Sequence, residues 1–579
     1  MTKGVWVLWI AGGLTVSAQQ PGPTTGPQPP GGPVQEAQPP ALVLPPRVGV
    51  ETATPLRLTL EDAIKLTLEG NHDVTIARLE QDAARQEIRA AEGVFDPRVQ
   101  PVLTYQRTVS ANASAIGGAI NGRLEQDQLA GTVGVDGRTP WAGGRFTFDF
   151  SSSRLESSNQ FARLNPQFPS ALSASYVQPL SRGRTIDVDR RQILLARRAA
   201  DLTDRQLTQV LMDQLVLVEQ AYWDLVFAVR NLDVQATALS QAQTQVASNE
   251  RQARQGTLAP IDVIEAQTQV ANFRQNVASA QLALTEAENR LKNLMLASRE
   301  AAEWRQPLLP ADVADQPVSP LPLEDAVRLA LARRPELAVI ETASAQNEID
   351  RQFFADQMRP QLDLVGTYTL SGLAGSSLRR VDDPLAGGDP DAALLERLNE
   401  LSERAGLVPL PVEPPSTDSP VPPFLVGSYA DSLGNLFSRR YPTALVQLQM
   451  ELPIGNSTAR ANLARTQIAA RQIARRRQQL EQAIEADVRN TLQAVQSSQQ
   501  RLDAAASARR NALEQYESER RRFDSGLSTV FLVLERQTAL VTAQAQELRA
   551  RADLNQAVAR LERATGGTLE RHGVKLTGS

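Results

Sequence analysis

The chain has 579 residues, 60 basic against 65 acidic side chains, a formal charge of −5, and 42% apolar but only 4% aromatic residues. So near-even a charge excludes the strong field of a nucleic-acid binder, and the Ala, Gln, Arg, Glu and Leu bias reads as long helices rather than an aromatic-cored enzyme. There is no cysteine, which leaves no material for a disulfide, an acylated lipoprotein cysteine or a thiolate metal site; His72 and His572, the only histidines, lie about 500 positions apart, which discounts a histidine metal site or a catalytic triad.

Residues 1–18 carry Lys3, an apolar run from Val5 to Val16 and then Ser17-Ala18, the order of a secretory signal peptide too short to span a bilayer. No other run is long and apolar enough for a membrane helix, so an exported chain would be soluble in the periplasm or inserted as a barrel. Residues 19–55 are dense in Pro, Gly, Gln and Thr and read as a disordered tether.

From there the chain is written twice. Leu60-Glu61-Asp62-Ala63 returns as Leu323-Glu324-Asp325-Ala326, Pro97 as Pro360 and Tyr105 as Tyr368, at a common shift of 263 residues. Farther on, Arg251, Gly256, Glu265, Gln267 and Thr268 meet Arg521, Gly526, Glu535, Gln537 and Thr538, the added length being absorbed in a loop. The period is too long for a solenoid, so two domain-sized repeats are expected, 56–320 and 321–567, followed by a tail at 568–579.

Each repeat opens with a short helix (60–70, 323–333), broken at Asn71 or Pro335. A second helix follows and stops where Asp96-Pro97 or Arg359-Pro360 forbids helical angles. The periodicity then changes to two. Strands are expected at about 98–107 and 173–181, and at about 361–370 and 443–453; Leu362, Leu364, Tyr368 and Leu370 share one face, as do Ala444, Val446, Leu448 and Met450. Nine or ten residues is what a tilted strand needs to cross a bilayer, although a soluble half-buried sheet alternates identically. An extra hairpin at about 129–152, with Phe146, Phe148 and Phe150 alternating after Ala142-Gly143-Gly144, either enlarges the sheet or projects beyond it, and a long loop covers 371–441.

Two rods follow, at about 184–255 and 457–525. Leu207, Leu211, Leu215, Val218, Tyr222 and Leu225 in the first, and Ile473, Leu480, Ile484 and Val488 in the second, step as coiled-coil seams. About 70 residues at 1.5 Å each spans roughly 105 Å. Gly256 and Gly526 are the helix-hairpin turns, and return helices run over 260–298 and 529–565. The returns are too short to match their rods, unless each continues end to end with the second short helix of its own repeat. Trp141, Tyr105, Tyr176 and Tyr368 suit either an interfacial aromatic belt or sheet packing.

The duplicated openings, the helix-to-strand prolines, Gln178-Pro179-Leu180 and Glu451-Leu452-Pro453 closing the second strands, and the glycine turns before Asp262-Val263-Ile264-Glu265 and Leu532-Val533-Leu534-Glu535 together resemble the TolC-like outer-membrane efflux proteins. The resemblance covers nearly everything from residue 56 to about 567. It implies a mainly α fold with a membrane β-barrel: a homotrimer, twelve strands in one barrel in outer-membrane lipid, and a coiled-coil helical tunnel through the periplasm.

A passive exit duct of a tripartite efflux pump or type I secretion system is implied, with a periplasmic adaptor (membrane fusion protein) and an inner-membrane pump as partners and no catalytic, cofactor or metal site. At the periplasmic entrance, Glu535 stands at a position of the family's cation-favouring acidic ring, Leu532 replaces a second carboxylate, and Asp262 and Glu265 supplement it. Phe523 and Ser528 fall where family members latch the entrance shut. Three carboxylates gathered by threefold symmetry attract cations on physical grounds alone, while Glu535 in a first helical turn also suits the helix dipole with no gate at all. The rival readings are a periplasmic coiled-coil adaptor and a scaffold without a pore; neither accounts for both the duplication and the alternating strands.

Overall fold

The computed structural model describes residues 47–50, 55–112, 118–119, 121–311, 321–378, 390–411 and 421–574; the expected leader and nearly all of the tether lie outside them. The described part opens with strand β1 (Leu56–Leu58) and helix α1 (Leu60–Gly70). Thr59 caps α1 reciprocally with Asp62: its hydroxyl accepts from the Asp62 amide at 3.1 Å, and the Asp62 carboxylate accepts from the Thr59 amide at 3.3 Å. Asn71 then breaks the helix and caps the next, α2 (His72–Glu92), accepting from the amides of Asp73 and Val74.

Four strands follow: β2 (Arg98–Ala111), β3 (Arg123–Arg138), β4 (Arg145–Ser157) and β5 (Leu164–Pro179). Then come α3 (Val188–Arg254), α4 (Pro260–Met295) and β6 (Leu308–Pro310), which pairs parallel with β1. The second repeat gives α5 (Leu323–Arg333), α6 (Pro335–Asp356), β7 (Gln361–Ser377), α7 (Pro390–Arg404), α8 (Tyr429–Phe437), β8 (Tyr441–Glu451), α9 (Ser457–Asp524), α10 (Val530–Thr565) and a last turn, α11 (Thr568–Arg571). The loop at 371–441 therefore holds two helices, α7 and α8, that its Pro and Ser content conceals.

β2, β3, β4, β5, β7 and β8 form one antiparallel sheet in that order. The hairpin that the sequence leaves undecided lies inside it, Tyr105 facing Leu129, Val133 facing Phe150, and Phe148 facing Ala174. A chain with four strands is what a twelve-stranded trimer requires; among the described residues this chain has six in a continuous ladder, because alternation over 123–157 is long enough to pair on both sides.

The rods α3 and α9 hold 67 and 68 residues, about 100 Å each. α3 packs on α2 and α4, with Gln81 bonding Asp204 at 2.7 Å, and also on α6 and α10, with Arg191 bonding Asp350 at 2.8 Å and Gln556 bonding Asp224 at 2.8 Å. α9 meets the same α6 and α10, through a core of Val495, Leu502, Leu554 and Val558 and another of Leu337, Ile484, Val488 and Ala564.

The short helices abut end to end. The Asn71 side chain donates to the Leu294 carbonyl in the last turn of α4 at 3.0 Å, and a methyl group on Gly70 would sit 2.3 Å from the Met295 carbonyl. In the second repeat Arg563, near the end of α10, bonds Glu336 at the start of α6 at 2.8 Å. Each chain thus presents four parallel columns: α2 with α4, α3, α6 with α10, and α9.

Both hairpins turn alike. Gly256 and Gly526 sit at φ +71° and +73°, and the amides of Thr257 and Leu527 reach back to the carbonyls of Gln252 and Arg522 at 3.1 and 2.8 Å. That six-to-one bond requires a left-handed residue, which glycine supplies without a Cβ clash.

Candidate functional site

Strand pairing fixes which side chains share a face, because successive residues point to opposite sides. Following the register across the sheet, Leu103 and Tyr105 of β2 lie with Leu129 and Val133 of β3, Phe148 and Phe150 of β4, Leu172 and Ala174 of β5, Leu364 and Tyr368 of β7, and Val446 and Leu448 of β8. Several are open to the surroundings: Leu103 and Val446 are each 77% exposed and Leu448 62%.

The other face is polar. There Ser173 bonds Thr369 at 3.0 Å, Ser175 bonds Thr367 at 3.1 Å, Gln128 donates to Ser153 at 3.3 Å and Gln100 to Asp136 at 3.2 Å. A monomer in water does not leave an apolar surface of this extent uncovered. In lipid the arrangement is the natural one, since one face meets hydrocarbon and the other water. Among the described residues no helix is long and apolar enough to cross a membrane.

The sheet connects directly to the rods: β5 runs into α3 and β8 into α9, while α2 runs into β2 and α6 into β7. All four connections lie at one end of the sheet. Asp356, at the end of α6, anchors that junction by accepting from the Gly183 amide at 2.6 Å.

At the opposite end of the rods, the hairpin turns bring two of the five sequence-derived entrance residues into one groove. Glu265 and Glu535 line a single groove of about 750 Å³ between α4 and α10, with Ile264, Thr268, Phe531 and Thr538. Gln269 bonds Thr538 across it at 2.8 Å. Asp262 lies one turn before Glu265 in the first turn of α4, where the helix dipole favours an acid.

Phe523 and Ser528 lie differently from those three acids. Phe523 packs against the core of Ala266, Val530 and Leu534 that joins the two hairpins, and the Ser528 hydroxyl donates to the Glu519 carboxylate. Ser528 is therefore tied within its own hairpin. Glu519 was not singled out from the sequence; its part follows from the glycine turn, which folds residue 528 back over the preceding turns of α9.

The family profile described as "Outer membrane efflux protein" matches residues 146–295 and 421–567, just over half of the chain. The chain belongs to that family.

Its fold is also that of solved channels of the same kind. The outer-membrane channel OprN is 15% identical, with a TM-score of 0.57 over 88% of this chain and 90% of that one. CusC is 16% identical, with a TM-score of 0.57 over 92% and 98%. The Campylobacter jejuni outer membrane channel CmeC is 14% identical, with a TM-score of 0.57 over 88% and 86%. No curated protein matches the chain. A family of efflux channels, rather than enzymes, is therefore the setting in which the groove at the tips is to be understood.

Proposed function

We propose that this efflux-family protein is a passive exit duct: three copies set their sheets in the outer membrane as one barrel, and their rods form a tunnel across the periplasm. The observation that carries the reading is the six-stranded ribbon with a largely apolar face, covered by α8 only around Ser170 and Gly372, joined at one end to rods about 100 Å long. A scaffold or adaptor would expose most of that face to water.

Substrate enters where the hairpins turn, once a periplasmic adaptor and an inner-membrane pump dock there, and diffuses out through the polar side of the sheet. The partner supplies the energy, in a tripartite efflux pump or a type I secretion system. Glu535, exposed in the groove beside Glu265 and one turn from Asp262, sets the charge of the entrance: three symmetry-related sets of these acids attract cations and repel one another. The Ser528–Glu519 bond holds the second hairpin as a unit and Phe523 packs it onto Ala266 of the first, so that opening moves the two hairpins together.

Reconstitution in planar bilayers tests the duct. The purified protein should need detergent and give cation-preferring channels whose preference falls in Glu535→Ala. Full solubility without detergent and an absence of conductance would overturn the duct; unchanged ion preference in Glu535→Ala would remove Glu535 from the entrance.

A further inference from the structure

Among the described residues, six strands in a row leave two edges unpaired, β2 and β8. Backbone amides and carbonyls along an open edge have no partner in hydrocarbon, so a sheet that enters a membrane must close on itself or on another copy. The directions suit a second copy. β2 leaves the end of the sheet that carries the rods and β8 returns to it, so β8 of one chain and β2 of the next meet antiparallel, as every other pair in the sheet does.

The width agrees. Strands spaced about 4.8 Å apart and tilted about 40° take up about 38 Å of circumference for six and about 25 Å for four. Four helix columns set 9–10 Å apart take up about 36–40 Å. With six strands, the sheet and the rods of one chain span equal arcs, and barrel passes into tunnel without a taper.

The duplication supplies the register. Within the chain, β5 ends the first repeat's strands and pairs with β7, which begins the second's; Tyr176 faces Gly366 and Ala174 faces Tyr368. β8 against the next copy's β2 is the same junction carried round the ring. Pro97 matches Pro360, so Leu103 stands for Gly366 and Tyr105 for Tyr368; Pro179 matches Pro453, so Met450 stands for Tyr176 and Leu448 for Ala174. This keeps both apolar faces on one side, whereas a one-residue slip would turn one strand's apolar set into the lumen.

We propose that three copies close an eighteen-stranded barrel, β8 of each pairing with β2 of the next so that Met450 faces Leu103 and Leu448 faces Tyr105. This rests on the trimeric duct proposed above. At the same tilt the backbone radius is about 18 Å, against about 12 Å for twelve strands.

The absence of cysteine makes the test direct. In outer membranes, oxidation of the double variant Leu448→Cys/Tyr105→Cys should give covalent trimers, because directly opposed strand residues lie within disulfide reach. The register-shifted pair Leu448→Cys/Leu103→Cys should cross-link at least tenfold less. If the β3–β4 hairpin is instead expelled and β2 pairs with β5 in a twelve-stranded ring, Tyr105→Cys/Ser170→Cys joins within one chain, which overturns the proposal.

A native mass of three chains without Leu448–Tyr105 linkage also overturns it while leaving the trimer in place; a native mass other than three chains overturns the trimer itself. Should the variants fail to fold, imaging of the unmodified protein decides between a barrel about 36 Å across, backbone to backbone, and one about 24 Å across.

Discussion

Lys292→Met probes a fully buried charge in the return helix α4. Lys292 and its i−4 partner Glu288 are 0% and 1% exposed and 2.6 Å apart; the ammonium also donates to the carbonyls of Trp304 and Gln306 at 3.0 and 2.6 Å, while Arg47 holds Glu288 from its far side at 2.6 Å. Removing the ammonium orphans two carbonyls and leaves Glu288 with Arg47 alone. Breaking a buried pair costs about 3–5 kcal/mol; the surviving Arg47 contact places this case near the lower end, about 3 kcal/mol. The damage is local, because Lys292 ties α4 to the segment that forms β6. That is about a hundredfold in the opening equilibrium, at about 1.4 kcal/mol per decade. Hydrogen exchange reads it at two amides, Leu56 bonded to Pro307 and Ala311 bonded to Leu58. The control is Lys65→Met, whose Glu61 pair has the same i,i+4 spacing and a 2.7 Å contact but lies 62% and 77% exposed; it should change nothing there. Protection of those two amides within threefold of the parent in Lys292→Met would refute the assignment of that energy to burial.

The remaining tests concern packing and charge. Gly372→Val should dislodge α8, because a Cβ at that position lies 2.3 Å from the Ser432 carbonyl oxygen and 2.7 Å from the Leu436 amide nitrogen, and overpacking of this kind costs about 1–3 kcal/mol. A Ser432→Cys thiol, buried under α8, should resist maleimide in the parent and react in Gly372→Val; continued resistance would count against the contact. Glu336 is held below its usual carboxylate range: burial alone would raise its pKa, but the hydrogen bond and charge of Arg563, with Arg334 behind it, outweigh that. A depressed carboxylate contributes stability above its unfolded value near 4.5 that is lost as pH falls through the lower folded value. The α6–α10 junction should therefore loosen below about pH 4.5 and stay level above it, and Glu336→Gln should flatten that acid limb in exchange or proteolysis; an identical acid limb would refute the link.

The parts of this fold legible in the sequence are those whose cause is local. Proline at 97 and 360 ends a helix wherever it stands, Gly256 and Gly526 supply a left-handed angle, and Leu362, Leu364 and Leu370 alternate whatever they pair with. Sheet membership of the β3–β4 hairpin was hidden because its partners Leu103 and Ala174 lie distant in the chain, and alternation alone does not name a neighbour. α8 was hidden for another reason: its capping pair Ser428 and Asp431 sits in a stretch whose Pro and Gly content reads as loop, and the helix exists by packing Ser432 and Leu436 over Ser170 and Gly372. At the entrance, the duplication matched Glu265 with Glu535 as equivalent positions and the resemblance set both at the tips, but the bond from Ser528 to Glu519 depends on how the turn folds back.

The inserted hairpin shows why such a fold widens in steps of two. β2 must leave the rods and β5 must return to them, since α2 and α3 lie at the same end of the sheet. One added strand would deliver α3 to the opposite end of the sheet from α2; two added strands restore the direction and leave both outer strands unchanged. The requirement for a polar interior is met at once, because β3 and β4 bring Gln128, Asp149, Ser151 and Ser153 to the polar face while Val133, Phe148 and Phe150 extend the apolar one. In the proposed barrel such widening asks nothing new of the helices, whose four columns take up about the same width as six strands.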